Sequence, residues 1–182
     1  MSPRADAVRN RSRVLAAADE VFVEKGTAAS TEEVAKRAGV GVGTVFRHFP
    51  TKEELLEAVY EERLRQVGAE AAELAERADA GKAFHEFFTR LVENAGTKQT
   101  LSEALAAAGV DVDDAASPVR AQVRDSLGTL LDRAQQAGGV RRDVGVDEVI
   151  ALLIGASQAT RWTLDISMRA RTLNVILDGL RP

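Results

Sequence analysis

The stretch that decides the fold runs from Gly26 to Leu55 and reads GTAASTEEVAKRAGVGVGTVFRHFPTKEEL. Ser30 with Glu33 three residues on is a capping box, in which hydroxyl and carboxylate each satisfy a backbone N–H that a helix start leaves open. Val34, Ala35 and Ala38 share one side of the helix so begun. Gly39 ends it, because glycine enters the left-handed conformation of a helix terminus without a Cβ penalty. After Gly39-Val40-Gly41 the spacing predicts a helix of about two turns over 42–49. Pro50 cannot continue it, and Thr51 with Glu54 forms a second capping box that opens a long helix at Lys52. Two short helices joined by a tight glycine turn are the layout of a helix-turn-helix, whose second helix enters the major groove of DNA. A generic αα-hairpin has the same periodicity, so the layout alone leaves both readings open.

The helical pattern extends outward on both sides. Upstream, Val14, Leu15, Ala18, Val21 and Phe22 recur at intervals of three and four, predicting a helix over 7–25. Downstream, the long helix from Lys52 reaches about residue 77, with Gly68 as a possible bend. Further helices are expected over 82–95, 101–108, 118–137, 146–162 and 166–180. Gly81, Gly96, the acidic loop 109–117, Gly138-Gly139 and Asp165 separate them. No run alternates as a half-buried strand would. The fold class is therefore all-α, with an N-terminal three-helix helix-turn-helix domain over 1–52 and a helical domain over 53–182.

Composition narrows the function classes. The chain has 182 residues, of which 45% are hydrophobic and 29% charged, too apolar for a disordered chain. The absence of cysteine excludes disulfides, thiolate metal sites and a cysteine nucleophile. There is no apolar run long enough to suggest a membrane span and no signal-peptide pattern, so a cytoplasmic protein without a membrane partner is expected. The two histidines, one of them inside the 42–49 helix, offer no acid–base constellation or metal-ligand cluster. Glu53-Glu54 and Glu61-Glu62 lie on a charged helix face. An α-helical enzyme is thus a remote alternative, and no catalytic residue, metal ligand or cofactor is expected.

The net charge of −4 taken alone argues against a nucleic-acid partner. Its distribution reverses that. Residues 1–52 carry nine basic and six acidic side chains, a net of +3, which leaves −7 for the remainder. Either surface charge simply fluctuates, or an acidic body repels phosphate and leaves the basic head as the contact face.

Residues 26–55 resemble the DNA-binding signature of the TetR (tetracycline-repressor) family of bacterial transcription regulators. The family pattern G-x-x-x-T-T-x-x-I-A-x-x-A-G-V-S-x-G-T-x-Y-x-H-F-x-x-K-E-x-L is met at Gly26, Thr31, Ala35, Ala38, Gly39, Val40, Gly43, Thr44, His48, Phe49, Lys52, Glu53 and Leu55. Arg13, Leu15, Ala18 and Phe22 extend the likeness to about the first third of the chain. Four positions depart from it. Gly41 replaces a serine N-cap at a cost of a few tenths of a kcal/mol. Phe46 replaces a tyrosine whose hydroxyl commonly reaches a phosphate. Ser30 stands for threonine, and Thr27 for an aromatic residue.

Roles follow for the residues facing DNA. Gly43 lets the helix approach the groove wall, beside Val42 and Phe46, and Thr44 offers a hydroxyl and a methyl. Arg47 either reads guanine bidentately or binds a phosphate only. His48 resembles the family's phosphate-contacting histidine, or else packs beside Phe49. Thr31 and Lys52 are expected to clamp phosphates. Lys36 and Arg37 are contacts or plain solvated charges. The N-terminal arginines form either a minor-groove arm or an unstructured tail.

The resemblance further implies a homodimer on a double-stranded, palindromic operator, usually repressing transcription until a small-molecule effector binds the C-terminal helices. Those helices are similar to the SbtR-like subclass. A DNA-binding dimer without small-molecule control is the alternative. Candidate pocket residues are Phe84, Phe87, Phe88, Leu91, Leu105, Val123, Leu127, Leu131 and Trp162; plain core would also explain the apolar ones, and Trp162 lines a pocket wall or the interface. A dimer interface is expected from the small residues Ala151, Gly155 and Ala159 and the stripe Ile166, Leu173, Ile176, Leu177 and Leu180, which an internal core would also explain.

Overall fold

A computed structural model describes residues 3–94, 101, 103–107, 109, 117–159 and 165–182. The described residues are helical, with no strand among them. In chain order the helices are α1 (Pro3–Lys25), α2 (Thr31–Ala38), α3 (Val42–His48), α4 (Lys52–Ala75), α5 (Ala80–Glu93), α6 (Pro118–Gln136), α7 (Val146–Ala159) and α8 (Ile166–Gly179). A 3-10 turn, Gly26–Ala28, follows α1, and the described part of 101–107 is also helical.

Contacts divide the chain into two compact units. One combines Met1–Arg63 with Thr97–Asp114, and the other Leu64–Gly96 with Ala115–Pro182. The division thus falls inside α4 rather than at residue 52. The physical reason is that one continuous helix supplies two cores: Leu55, Leu56 and Val59 to the first, and Ala71, Leu74 and Ala75 to the second.

In the first unit the apolar stripe of α1 (Val14, Leu15, Ala18, Val21 and Phe22) packs with Val34, Ala35 and Ala38 of α2. Val45 of α3 is fully buried among them. Leu101, Ala104 and Leu105 complete this core. Leu105 is therefore part of the head and does not join the other candidate pocket residues. Helix α1 begins at Pro3 rather than at Ala7, and Arg9, Arg11 and Arg13 all lie within it.

Local signals in the sequence are realised at the helix ends. Ser30 accepts from the Glu33 N–H at 3.2 Å while the Glu33 carboxylate accepts from the Ser30 N–H at 3.1 Å. Thr51 accepts from the Glu54 N–H at 3.1 Å, and Asp165 caps α8 through the N–H groups of Ser167 and Met168. At the end of α2, Gly39 adopts φ +65°. Its N–H donates to Lys36 and that of Val40 to Ala35, the paired bonds of a Schellman terminus.

The second unit gathers α5, α6, α7 and α8 around Phe84, Phe87, Phe88, Leu127, Leu130, Leu131, Val149, Leu173 and Leu180. Gly81 and Gly139 meet backbone to backbone. A Cβ on Gly139 would stand 2.5 Å from the Gly81 Cα, which leaves room for no other residue.

Gly39→Ala forces a Cβ into a left-handed residue and places it 2.9 Å from an Arg13 guanidinium nitrogen. Denaturant unfolding is expected to show a loss of about 1–2 kcal/mol.

Candidate nucleic-acid interface

Helix α3 is held by one face and free on the other. Val45 is fully buried, and Phe49, just past the helix end, is 3% exposed. With 3.6 residues per turn, this leaves Val42, Gly43, Phe46 and Arg47 on the outward side, and all four are exposed. Val42 and Phe46 are 40% and 43% exposed. Nothing lies within 4 Å of a Cβ built on Gly43. The Gly41 N-cap makes no side-chain bond, and its carbonyl instead accepts from the Thr44 N–H at 2.8 Å. Thr44 and His48 flank the outward face and are half-buried, the His48 ring lying 6.3 Å from that of Phe49.

Two arginines of α1 fix this pair of helices. Arg13 donates to the Ala38 carbonyl at 2.6 Å, satisfying an oxygen that the end of α2 leaves open. Arg11 lies over the Phe49 ring at 5.2 Å from its centroid, a cation–π contact. Neither contact has a local sequence signal, because both join residues at least 25 positions apart.

The other expected DNA contacts are distributed unevenly. Lys36 is exposed, and Lys52 is half-buried at the start of α4. Thr31 is the first residue of α2 and is buried, its hydroxyl 3.4 Å from a Glu32 carboxylate oxygen. In the free protein the Arg37 guanidinium pairs with Glu24, at 2.9 and 3.1 Å, and with Glu20 at 2.9 Å, so it braces α2 against α1. The hydrogen bond from Arg37 holds the Glu24 carboxyl below the usual carboxylate range. Glu24, followed by Glu20, raises the guanidinium pKa in turn.

In the second unit Phe84, Phe87, Phe88, Leu127 and Leu131 are buried together, and Leu91 packs partly buried against them. Val123 sits 3.4 Å from a Cβ built on Gly68, at the crossing of α4 and α6. Trp162 lies outside the described residues. His85 donates from Nδ1 to the Gly81 carbonyl at 2.8 Å, and its buried Nε2 has no hydrogen-bond partner among the described residues. A crevice of about 570 Å³ in this unit is lined by Gln135, Val140, Arg141, Arg142, Asp143 and Arg181, among others, and by none of the candidate pocket residues.

The proposed dimer residues divide by face. Leu173 and Leu180 are buried in the unit's own core, with Ile176 and Leu177 packed against it, because their spacing follows the inward side of α8. Ala151, Gly155 and Ile166 are exposed, and Ala159 is half-buried. Ile154, Met168 and Val175 are exposed at 59%, 49% and 71%. The sequence reading passed over these three, although Met168 and Val175 are seven apart and so share a helix face.

A basic, outward-facing short helix held at a fixed turn defines a helix-turn-helix protein. Comparison with known proteins agrees. The family model for bacterial regulatory proteins of the tetR family matches residues 14–59. That for the transcriptional regulator SbtR-like C-terminal domain matches 79–182, more than half of the chain. The chain belongs to the TetR family of bacterial regulatory proteins, whose members are transcriptional regulators and not enzymes.

The crystal structure of a TetR transcription regulatory protein from Mycobacterium vanbaalenii is 40% identical, with a TM-score of 0.82 and full coverage of both chains. The TetR regulator SCO0520 from Streptomyces coelicolor is 32% identical, with a TM-score of 0.76, covering 94% of this chain and 98% of that one. The HTH-type transcriptional regulator SrpR of Pseudomonas putida is 43% identical over 60 residues, 32% of this chain and 28% of that protein. The matched stretch thus spans less than a third of that curated relative's length. Among the described residues no helix is long and apolar enough to cross a membrane.

Arg37→Ala is expected to lower the melting temperature at pH 7. Because the pairing depresses the Glu24 pKa from its ordinary 4.5, its contribution is present above that value and is lost as pH falls through the lower folded value. Thermal scans of both proteins should therefore converge in strong acid.

Proposed function

We propose that this protein is a cytoplasmic, homodimeric repressor that binds a palindromic DNA operator through α3 and is released by a small-molecule effector. The observation that carries the DNA-binding part is the outward face of α3. Val42, Gly43, Phe46 and Arg47 are exposed there on a helix anchored by Val45. Space over Gly43 is open, so the helix backbone can settle against a groove wall. Arg47 is suited to guanine, and Lys36, Lys52 and His48 carry donors suited to phosphate oxygens. The net charge of +3 over residues 1–52, against −7 elsewhere, orients the head toward DNA.

Dimerisation is supported by the apolar side chains that α7 and α8 leave in solvent. Ile154, Ile166, Met168 and Val175 are exposed, and Ala151 and Gly155 beside Ile154 permit close helix approach. A face of this kind on a soluble chain marks an interaction site. A two-fold pairing through it would present two recognition helices to an inverted repeat. Effector control rests on the family's SbtR-like C-terminal domain and on α4. This helix contributes to both cores, so a displacement of its second half is transmitted along its axis to Lys52. Such coupling is reciprocal, the effector weakening DNA binding by the factor with which DNA weakens effector binding.

Gly43→Ala separates the DNA role from folding. With open space in the free protein, the variant is expected to unfold no more easily than the parent and to gain up to about 1 kcal/mol of helix propensity. DNA affinity by fluorescence anisotropy should fall at least about tenfold, since the methyl group meets the groove. Unchanged affinity would contradict this placement of α3.

Ile154→Asp and Val175→Asp alter side chains that are exposed in the protomer. Each is expected to leave helicity intact and raise the dimer dissociation constant more than about 100-fold by analytical ultracentrifugation.

A further inference from the structure

We infer that Val42 and Phe46 read thymine, by seating its C5-methyl group between them in the major groove. This rests on the DNA-binding reading of α3 and names what that helix recognises. The two side chains are four residues apart and about 40° apart around the helix axis, so they form one apolar step. They are 40% and 43% exposed, although Val45 on the same helix is fully buried. The helix therefore has a core face and a second, unfilled apolar face.

The surroundings select the occupant. Arg47 borders the step on the exposed side, and Gly43 beside Val42 has no neighbour within 4 Å of a built Cβ, so a duplex edge can reach the pair without obstruction. Phe46 has no hydroxyl and cannot donate to a phosphate oxygen. Among the groups that base edges present in the major groove, the apolar one is the thymine methyl. Neither side chain can hydrogen-bond a base, so their discrimination comes from burying that methyl. The step adds an apolar position to each half-site, beside the polar position that Arg47 can read.

The test uses the full-length protein and a duplex selected by it from random DNA. Each thymine of the half-site is replaced in turn by uracil, which keeps every hydrogen-bonding group and removes only the methyl. At one thymine step, replacement in both half-sites is expected to weaken binding roughly fifteenfold, about fourfold per methyl buried. Phe46→Ala should weaken binding to the thymine duplex and largely abolish the difference between thymine and uracil, a coupling that a double-mutant cycle isolates. Val42→Ala should reduce that difference in part. Circular dichroism checks that both exposed positions tolerate the change. Equal binding of all uracil duplexes, a half-site without thymine, or an undiminished methyl preference in both variants would overturn the inference while leaving DNA binding by α3 standing. Failure to select or bind any duplex would remove both.

Discussion

The turn between α2 and α3 is the constraint on which the head depends. Gly39 at φ +65° lets the Val40 N–H return to Ala35 and its own N–H to Lys36, which fixes the direction in which the chain leaves α2. Arg13 then closes the end of that helix through the Ala38 carbonyl. Only seven residues follow in α3, too few to be stable as an isolated helix. Its geometry is therefore imposed by the turn before it, by Val45 in the core beneath it and by Phe49 under Arg11 behind it. The outward residues Val42, Gly43, Phe46 and Arg47 remain exposed.

Much of this was legible in the sequence, because it is encoded locally. Ser30 and Glu33, Gly39, Pro50 and Thr51 each act within one helical turn, and the caps and breaks stand at those positions. Tertiary pairings were not legible. Arg37 reads in the sequence as a DNA contact or a solvated charge, and its pairing with two carboxylates of α1 has no signal in the local pattern. Leu105 reads as one more apolar helical residue, and only the fold shows that it completes the head's core. On α8 the sequence displays two apolar registers. The richer one, with Leu173 and Leu180, faces the unit's own core, while the sparser one, with Met168 and Val175, faces solvent.

The body adds a second level of organisation. Its core is closed by the Gly81–Gly139 contact and by the aromatic cluster of α5, in which the Phe84 and Phe88 rings lie 6.4 Å apart. Arg90 of α5 pairs with Glu70 of α4, and Arg133 of α6 with Glu76 just beyond it. Helix α4 is thus tied to the body near its C-terminal end and to the head by Arg63, which pairs with Asp19 of α1. A helix anchored in two cores is suited to couple events in one to events in the other, which is the basis proposed here for effector control.

The central claim is that two copies of the α3 face act together on DNA. Selection of bound fragments from a pool of random duplexes, followed by sequencing, tests it most directly. The account predicts enrichment of an inverted repeat with half-sites at one fixed spacing, set by the separation of the two recognition helices in the dimer. Enrichment of unpaired single sites, or no enrichment above the starting pool, would contradict it.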